Sequence, residues 1–285
     1  MPKSLQKYIE KIRKEVRRKT ENLIFSHKFV VYFTLTFLFL SYIAIFFIDI
    51  RNIFGLRSVF DGFLVPFFWD RLFMEAGPVE NIQWIFLTCF ILLSSWLSFT
   101  TKNEDGFTDE SIFWMLFAVA GVFMVLEDVG NIRHIMIRRN PNLSWIMRNT
   151  LETLFFGLLG SLPVLAVVKY RKNIFRSKTT SKLLLLGFVF YICAATLSGP
   201  VEVTDIDTEI GNKFYEFSVF FGGEDFREAF EEGDRRIESI EKEKDIIMMD
   251  VRTRFTDFVV EESLELLGAT FLLASALSYK EFIST

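Results

Sequence analysis

The chain has 285 residues, 51% of them hydrophobic and 35 of them Phe, with a mean hydropathy of +0.31. That composition excludes a soluble domain of ordinary make-up and suits side chains facing lipid and the headgroup boundary. The net charge of −4 hides segregation: residues 1–28 hold nine Lys and Arg against three acids, while 199–257 holds seventeen acids against eight Lys and Arg.

Residues 1–28 read as a basic amphipathic helix, with Leu5, Ile9, Ile12, Val16 and Leu23 recurring near helical spacing. Such a helix lies on an anionic leaflet with its apolar stripe in the headgroup region, or simply anchors the first span. A cleaved signal peptide is not expected, because no small-residue cleavage site follows the long basic stretch. Five apolar runs of about span length come next, at 29–48, 80–99, 112–130, 150–168 and 183–198, and a sixth covers 258–279. The whole predicts an all-α, polytopic membrane helix bundle of about six transmembrane helices. Its parts are a cytoplasmic helix (1–28), a five-span block (29–198), an acidic extracytoplasmic helical segment (199–257) and a last span with a short tail (258–285).

Basic residues in short loops set the orientation. With the N-terminus inside, the interior segments carry seventeen Lys and Arg and the short exterior loops seven. Both termini are therefore expected on the cytoplasmic side of a plasma or inner membrane. Two exterior loops are aromatic yet too polar to span. Residues 50–78 hold Phe54, Phe60, Phe67, Phe68, Trp69 and Phe73, and residues 132–145 hold Ile135, Met136 and Trp145 beside His134. Surface or re-entrant helices fit both. In the long exterior segment, Phe226, Ala229, Phe230, Gly233, Ile237 and Ile240 trace a helical stripe, with breaks expected near Gly233 and around 246–250. The stripe either packs on the protein's own outer surface or meets a partner.

Seven acids fall at one end of the apolar runs: Glu80, Glu127, Asp128, Glu152, Glu261, Glu262 and Glu265. In the orientation above, all seven lie on the outer side. A carboxylate within a span costs roughly 2.5–3.5 kcal/mol at the membrane centre, so it usually has a partner or a purpose. Glu261 and Glu265 share a helical face that continues to Gly268, Asp128 shares one with Met124 and Gly121, and Glu152 one with Phe156 and Gly160. Small residues behind the acids would let helices approach closely there. Arg71, Arg133, Arg138, Arg139, Arg148 and Arg254 on the same side offer a purely structural alternative, ion pairing. No metalloprotease helix motif, nucleophile elbow or phosphate loop is present. Cys89 and Cys193 read as small packing residues rather than a disulfide or metal pair. No cofactor is expected, although a divalent cation suits the carboxylates with His134 chemically. Membrane lipids, anionic at the N-terminal helix, and a membrane-protein partner are the expected company, and nucleic acid is not.

Three short stretches carry a resemblance. Met74-Glu75-Ala76-Gly77-Pro78-Val79-Glu80 is similar to an acidic lead-in found before a span in an uncharacterised group of prokaryotic multi-span membrane proteins. Glu261 to Ala269 resembles the final-span motif of that group, and Glu127-Asp128-Val129-Gly130-Asn131 keeps the paired acids of its middle-span motif. The resemblance implies no known activity. Three functions remain open on sequence: a scaffold or accessory subunit with an outer acidic site, a small cation- or proton-coupled transporter or channel using Glu127, Asp128, Glu152 and Glu265, and a metal-assisted intramembrane hydrolase.

Overall fold

Ser26 opens the first helix, its hydroxyl accepting the Phe29 N–H at 3.2 Å and so satisfying one of the free donors at a helix start. In the computed structural model, which describes residues 26–62, 64–104, 106–130, 144–197, 206–244 and 249–284, helix follows helix from there to the C-terminus. Helix α1 (His27–Ala44) runs on into a π-helical turn (Ile45–Ile50), followed by a 3-10 turn (Ile53–Gly55), α2 (Leu56–Val59) and α3 (Phe68–Phe73). Then come α4 (Pro78–Thr100), α5 (Asp109–Gly130), α6 (Trp145–Ile174), α7 (Lys178–Leu197) and α8 (Ile206–Lys244). Helix α9 (Val251–Phe255) passes through a second π-helical turn (Thr256–Glu261) into α10 (Glu262–Ile283). Among the described residues there is no β-strand, only an isolated bridge between Asn103 and Gly106. The basic helix expected over 1–28 falls outside the described residues up to position 25, as does the 132–143 loop with His134.

Among the described residues, five helices are long and apolar enough to cross a membrane: His27–Ile50, Phe68–Thr100, Asp109–Val129, Thr153–Lys172 and Lys178–Leu197. The sixth expected span, α10, forms and at 22 residues is about 33 Å long. It is not one of those five. What distinguishes it is its position. Ser263, Gly268, Ala269, Thr270, Ala274, Ser275, Ala276 and Ser278 are all buried, because α7, α4 and α1 pack around α10. A helix wrapped by other helices needs small side chains more than hydropathy.

Pairwise hydrogen bonds fix the directions. Thr34 with Thr270 (2.9 Å) and Tyr42 with Ser263 (3.0 Å) set α1 antiparallel to α10, and His27 Nδ1 with Glu281 (2.8 Å) ties their far ends. Thr180 donates to Ser278 at 3.3 Å, setting α7 antiparallel to α10, and Ser98 meets Ser111 where α4 and α5 turn over. Cys89 and Cys193, expected as packing residues, are instead exposed on the bundle surface.

A second core caps one end of the bundle. Phe67, Trp69, Phe73, Phe226, Phe230, Ile237, Val251 and Phe255 are buried together in it. The stripe on α8 thus packs on the protein itself, and much of the aromatic 50–78 loop lies inside the cap rather than along a surface. Helix α8 breaks at Gly223 (φ 66°) and not near Gly233 as expected. Gly233 stays helical and packs close to α9, where a Cβ would stand 2.9 Å from Val251 Cγ2. Asp49, at the end of α1, accepts the N–H groups of Phe68 (2.6 Å) and Trp69 (3.1 Å) and so caps α3. Arg57 donates to the Asp49 and Asp225 carbonyls and pairs with the Asp225 carboxylate at 3.0 Å. Burial pulls its pKa down, and the Asp225 and Asp49 charges oppose that pull.

Arg254 Nε meets the fully buried Asp70 Oδ1 at 3.1 Å and joins the α9 strut to α3. Arg254→Met strands the Asp70 charge, an effect worth about 3–5 kcal/mol for buried pairs. Limited proteolysis should show cap nicking at lower protease concentration and an earlier thermal transition in detergent. The Arg254→Met/Asp70→Leu pair should recover most of the loss; no recovery would mean that the pair is not what holds the cap.

Candidate carboxylate site

The second turn of α4 brings a polar side chain to the middle of the bundle. Gln83 is 0% exposed, and its Nε2 donates to Asp128 Oδ2 on α5 at 2.9 Å and to Glu265 Oε2 on α10 at 2.8 Å. One amide therefore spends both N–H donors on two carboxylates from two other helices. Hydrogen bonds to charged acceptors are the stronger kind, and a low-dielectric surround strengthens them further.

Glu80 sits one turn earlier on α4 and is also buried. Its carboxylate accepts the N–H of Ala76, folding the 74–77 turn back over the helix start, where an acid also complements the helix dipole. Glu262 opens α10 and lies in electrostatic reach of Glu265, Glu80, Glu261 and Asp128. Glu127 adjoins Asp128, and Glu261 closes the π-helical turn before Glu262; both are partly buried at the margin of the group.

Across from these acids stands Tyr191 of α7. Its ring lies against Gly268, where a Cβ would come within 2.5 Å of Cδ2. Its hydroxyl is buried, and the acids acting on it are Asp128, Glu265 and Glu262. Three buried polar atoms in this group meet no hydrogen-bond partner among the described residues: Tyr191 OH, Gln83 Oε1 and Glu262 Oε2. Such atoms cost free energy unless something answers them. Two of them are acceptors and one is a hydroxyl, so chemically the group suits a proton-donating species or a cation that draws in the oxygens.

Of the eight residues singled out from sequence, Glu80, Asp128, Glu262 and Glu265 come together, with Glu127 and Glu261 beside them. The Glu152 side chain and His134 lie outside the described residues, and so do Arg133, Arg138, Arg139 and the Arg148 side chain. Of the arginines that could have paired with the group, Arg254 serves Asp70, and Arg71 donates to the Asp61 carbonyl. The expected close approach behind the acids holds at Gly268 and at Gly121, where a Cβ would stand 2.8 Å from Ile91 Cγ1; at Gly160 nothing lies within 4 Å. Among the described residues no three His, Cys, Asp or Glu side chains are placed to hold a metal ion. Gln83 and Tyr191 were missed as site residues. Each is a polar residue within an apolar run, which is the signal that would have found it.

No family model matches the chain, and no curated protein or solved structure matches it.

Gln83→Leu keeps the volume and removes the shared donor, leaving Asp128 and Glu265 face to face. The expected loss is about 1–3 kcal/mol for each carboxylate left without its bond, read as a lower unfolding temperature in detergent. Adding Asp128→Asn removes the like charge and restores an amide, and should bring the temperature most of the way back. An unchanged temperature for Gln83→Leu would show that the bridge carries no energy.

Proposed function

We propose that the chain is a multi-pass membrane protein whose outer-end carboxylate group takes up and releases protons or a small cation, as in a cation- or proton-coupled transporter or channel. One observation carries this reading: a fully buried amide shared between Asp128 and Glu265, ringed by the unanswered oxygens of Gln83, Glu262 and Tyr191.

What supports a plasma- or inner-membrane orientation with cytoplasmic termini is the basic-residue asymmetry together with the alternation of helix directions. It puts the acid group and the cap on the outer side, and the His27–Glu281 pair on the inner. The three stretches that resemble the uncharacterised prokaryotic multi-span group supply Glu80, Asp128, Glu262 and Glu265 to one place. A scaffold role is the second reading. It is favoured by the exposed charged face of α8 beyond Gly223, with its ladder of pairs such as Arg227–Glu224 and Lys242–Glu238, a solvated surface suited to a partner.

Proteoliposomes with trapped pyranine separate these. Under an imposed potential or a Na⁺ or K⁺ gradient, the wild-type protein should admit protons or exchange them for the cation. Asp128→Asn and Glu265→Gln should each reduce the signal to that of empty liposomes. Wild-type vesicles no leakier than empty ones under every gradient would remove the transport reading; copurification of a partner unaffected by Glu265→Gln would then favour the scaffold.

A further inference from the structure

The cap presents one aromatic ridge that its core does not use. Phe54 is 96% exposed, and on the first half of α8 Phe217 and Phe220 are 50% and 81% exposed beside Phe221. Phe217, Phe220 and Phe221 fall at i, i+3 and i+4, so they share one face, while Gly211 and Ser218, about a third of a turn round the helix, are buried.

Three observations say what covers this ridge. The first is backbone geometry. Asn52, Phe54 and Gly55 all have positive φ (42°, 57° and 71°), and Phe is a bulky residue that rarely adopts that region. The turn thus holds its aromatic ring outward, and such strain is a pointer to function. The second is depth. Phe221 stacks edge-on against Phe46 at 5.6 Å, inside the segment His27–Ile50 that is apolar enough to span. Gly222 lies against the Ile50 carbonyl so closely that a Cβ has no space, and Arg51 donates to the Phe221 carbonyl at 2.6 Å. The first half of α8 is therefore fixed at the level where the first span ends. The third is the change of character at the Gly223 break. The exposed large hydrophobic residues of α8 all precede it, and among the described residues of 224–244 there is none. Aromatic side chains collect at the membrane boundary because their apolar rings tolerate the headgroup region better than water.

We propose that Phe54, Phe217, Phe220 and Phe221 are inserted into the headgroup region of the leaflet on the cap side, so that the first half of α8 is an interfacial helix and the Gly223 break turns its second half up into water. The ridge continues the lipid-facing surface of α1 through Phe46 and Phe47, whose rings lie 5.4 Å apart. This rests on the membrane-spanning reading above but not on the carboxylate site. The occupant is lipid, rather than a second copy or a partner protein, because the ridge lies at the depth of a span's end.

Single spin-labelled cysteines in a Cys89→Ser/Cys193→Ser background, reconstituted in lipid nanodiscs, test it. Phe54→Cys, Phe217→Cys and Phe220→Cys are compared with Leu92→Cys, exposed within α4, and Glu231→Cys, in the second half of α8. Oxygen partitions into lipid, and a nickel chelate stays in water. The ridge labels should favour oxygen in the direction Leu92→Cys does, with the ratio reversed at Glu231→Cys. Ridge labels as open to nickel as Glu231→Cys would overturn the proposal. Labels shielded from both reagents would also overturn it, in favour of a protein cover. If Leu92→Cys itself meets nickel freely, the spanning reading fails first, and the two failures are distinguishable.

Discussion

Close contact between α10 and its neighbours is the constraint on which the rest depends. Within lipid the hydrophobic effect does not drive helices together, so association relies on packing, interhelical hydrogen bonds and small residues that let backbones approach. Helix α10 has all three. Gly268 leaves no space for a Cβ against the Tyr191 ring, and Leu272 packs on Gly187 of α7, where a Cβ would stand 2.9 Å from Leu272 Cδ2. Hydroxyl pairs at Thr34–Thr270, Tyr42–Ser263 and Thr180–Ser278 bind it to α1 and α7. Because α10 is central along its length, the acids of its first turns meet acids and an amide from neighbouring helices. The carboxylate group is thus a consequence of the same packing that makes the bundle.

Seen from the sequence, the helices were legible and their convergence was not. Apolar runs of span length announce themselves residue by residue, and the alternation of short loops leaves little freedom in direction. Helix α10 was legible as a helix, but not the fact that its Ser, Ala, Gly and Thr residues mark the faces on which three other helices pack. The acids' common end followed from counting spans, but which face each occupies depends on helix rotation, and rotation is set by packing. Gln83 illustrates the difficulty. One Gln in a run that reads Asn-Ile-Gln-Trp-Ile-Phe looks like an interfacial residue until its neighbours α5 and α10 are in place. The break in α8 has the opposite lesson. Two adjacent glycines, Gly222 and Gly223, were a stronger cue than the isolated Gly233, because a positive φ and a close approach were needed side by side.

Cap and bundle are not separable units hung on a linker. Asp49 leaves α1 and immediately caps α3, and Arg57 ties that junction to the kink of α8 through the Asp225 carbonyl. On the other side, α9 carries Arg254 to Asp70 and continues without a loop into α10. Two routes therefore run from the aromatic core of the cap to the helices that carry Glu265 and Gln83.

The two π-helical turns sit on these routes, Ile45–Ile50 at the exit of α1 and Thr256–Glu261 at the entry of α10. A π turn admits an additional residue per turn and rotates everything beyond it, and such turns concentrate at functional positions. Val251, Phe255, Val259 and Ser263 are buried at intervals of four through the second turn, a slower spacing than the 3.6 of an α-helix. An unbroken α-helix from Val251 would carry Glu262 and Glu265 around the axis, away from Gln83 and Tyr191. The widened turn holds one strip of the chain against the cap core and the next against the bundle core, and it brings the acids to the seam between the two. The site's position is therefore written less in the acids themselves than in the turn that precedes them.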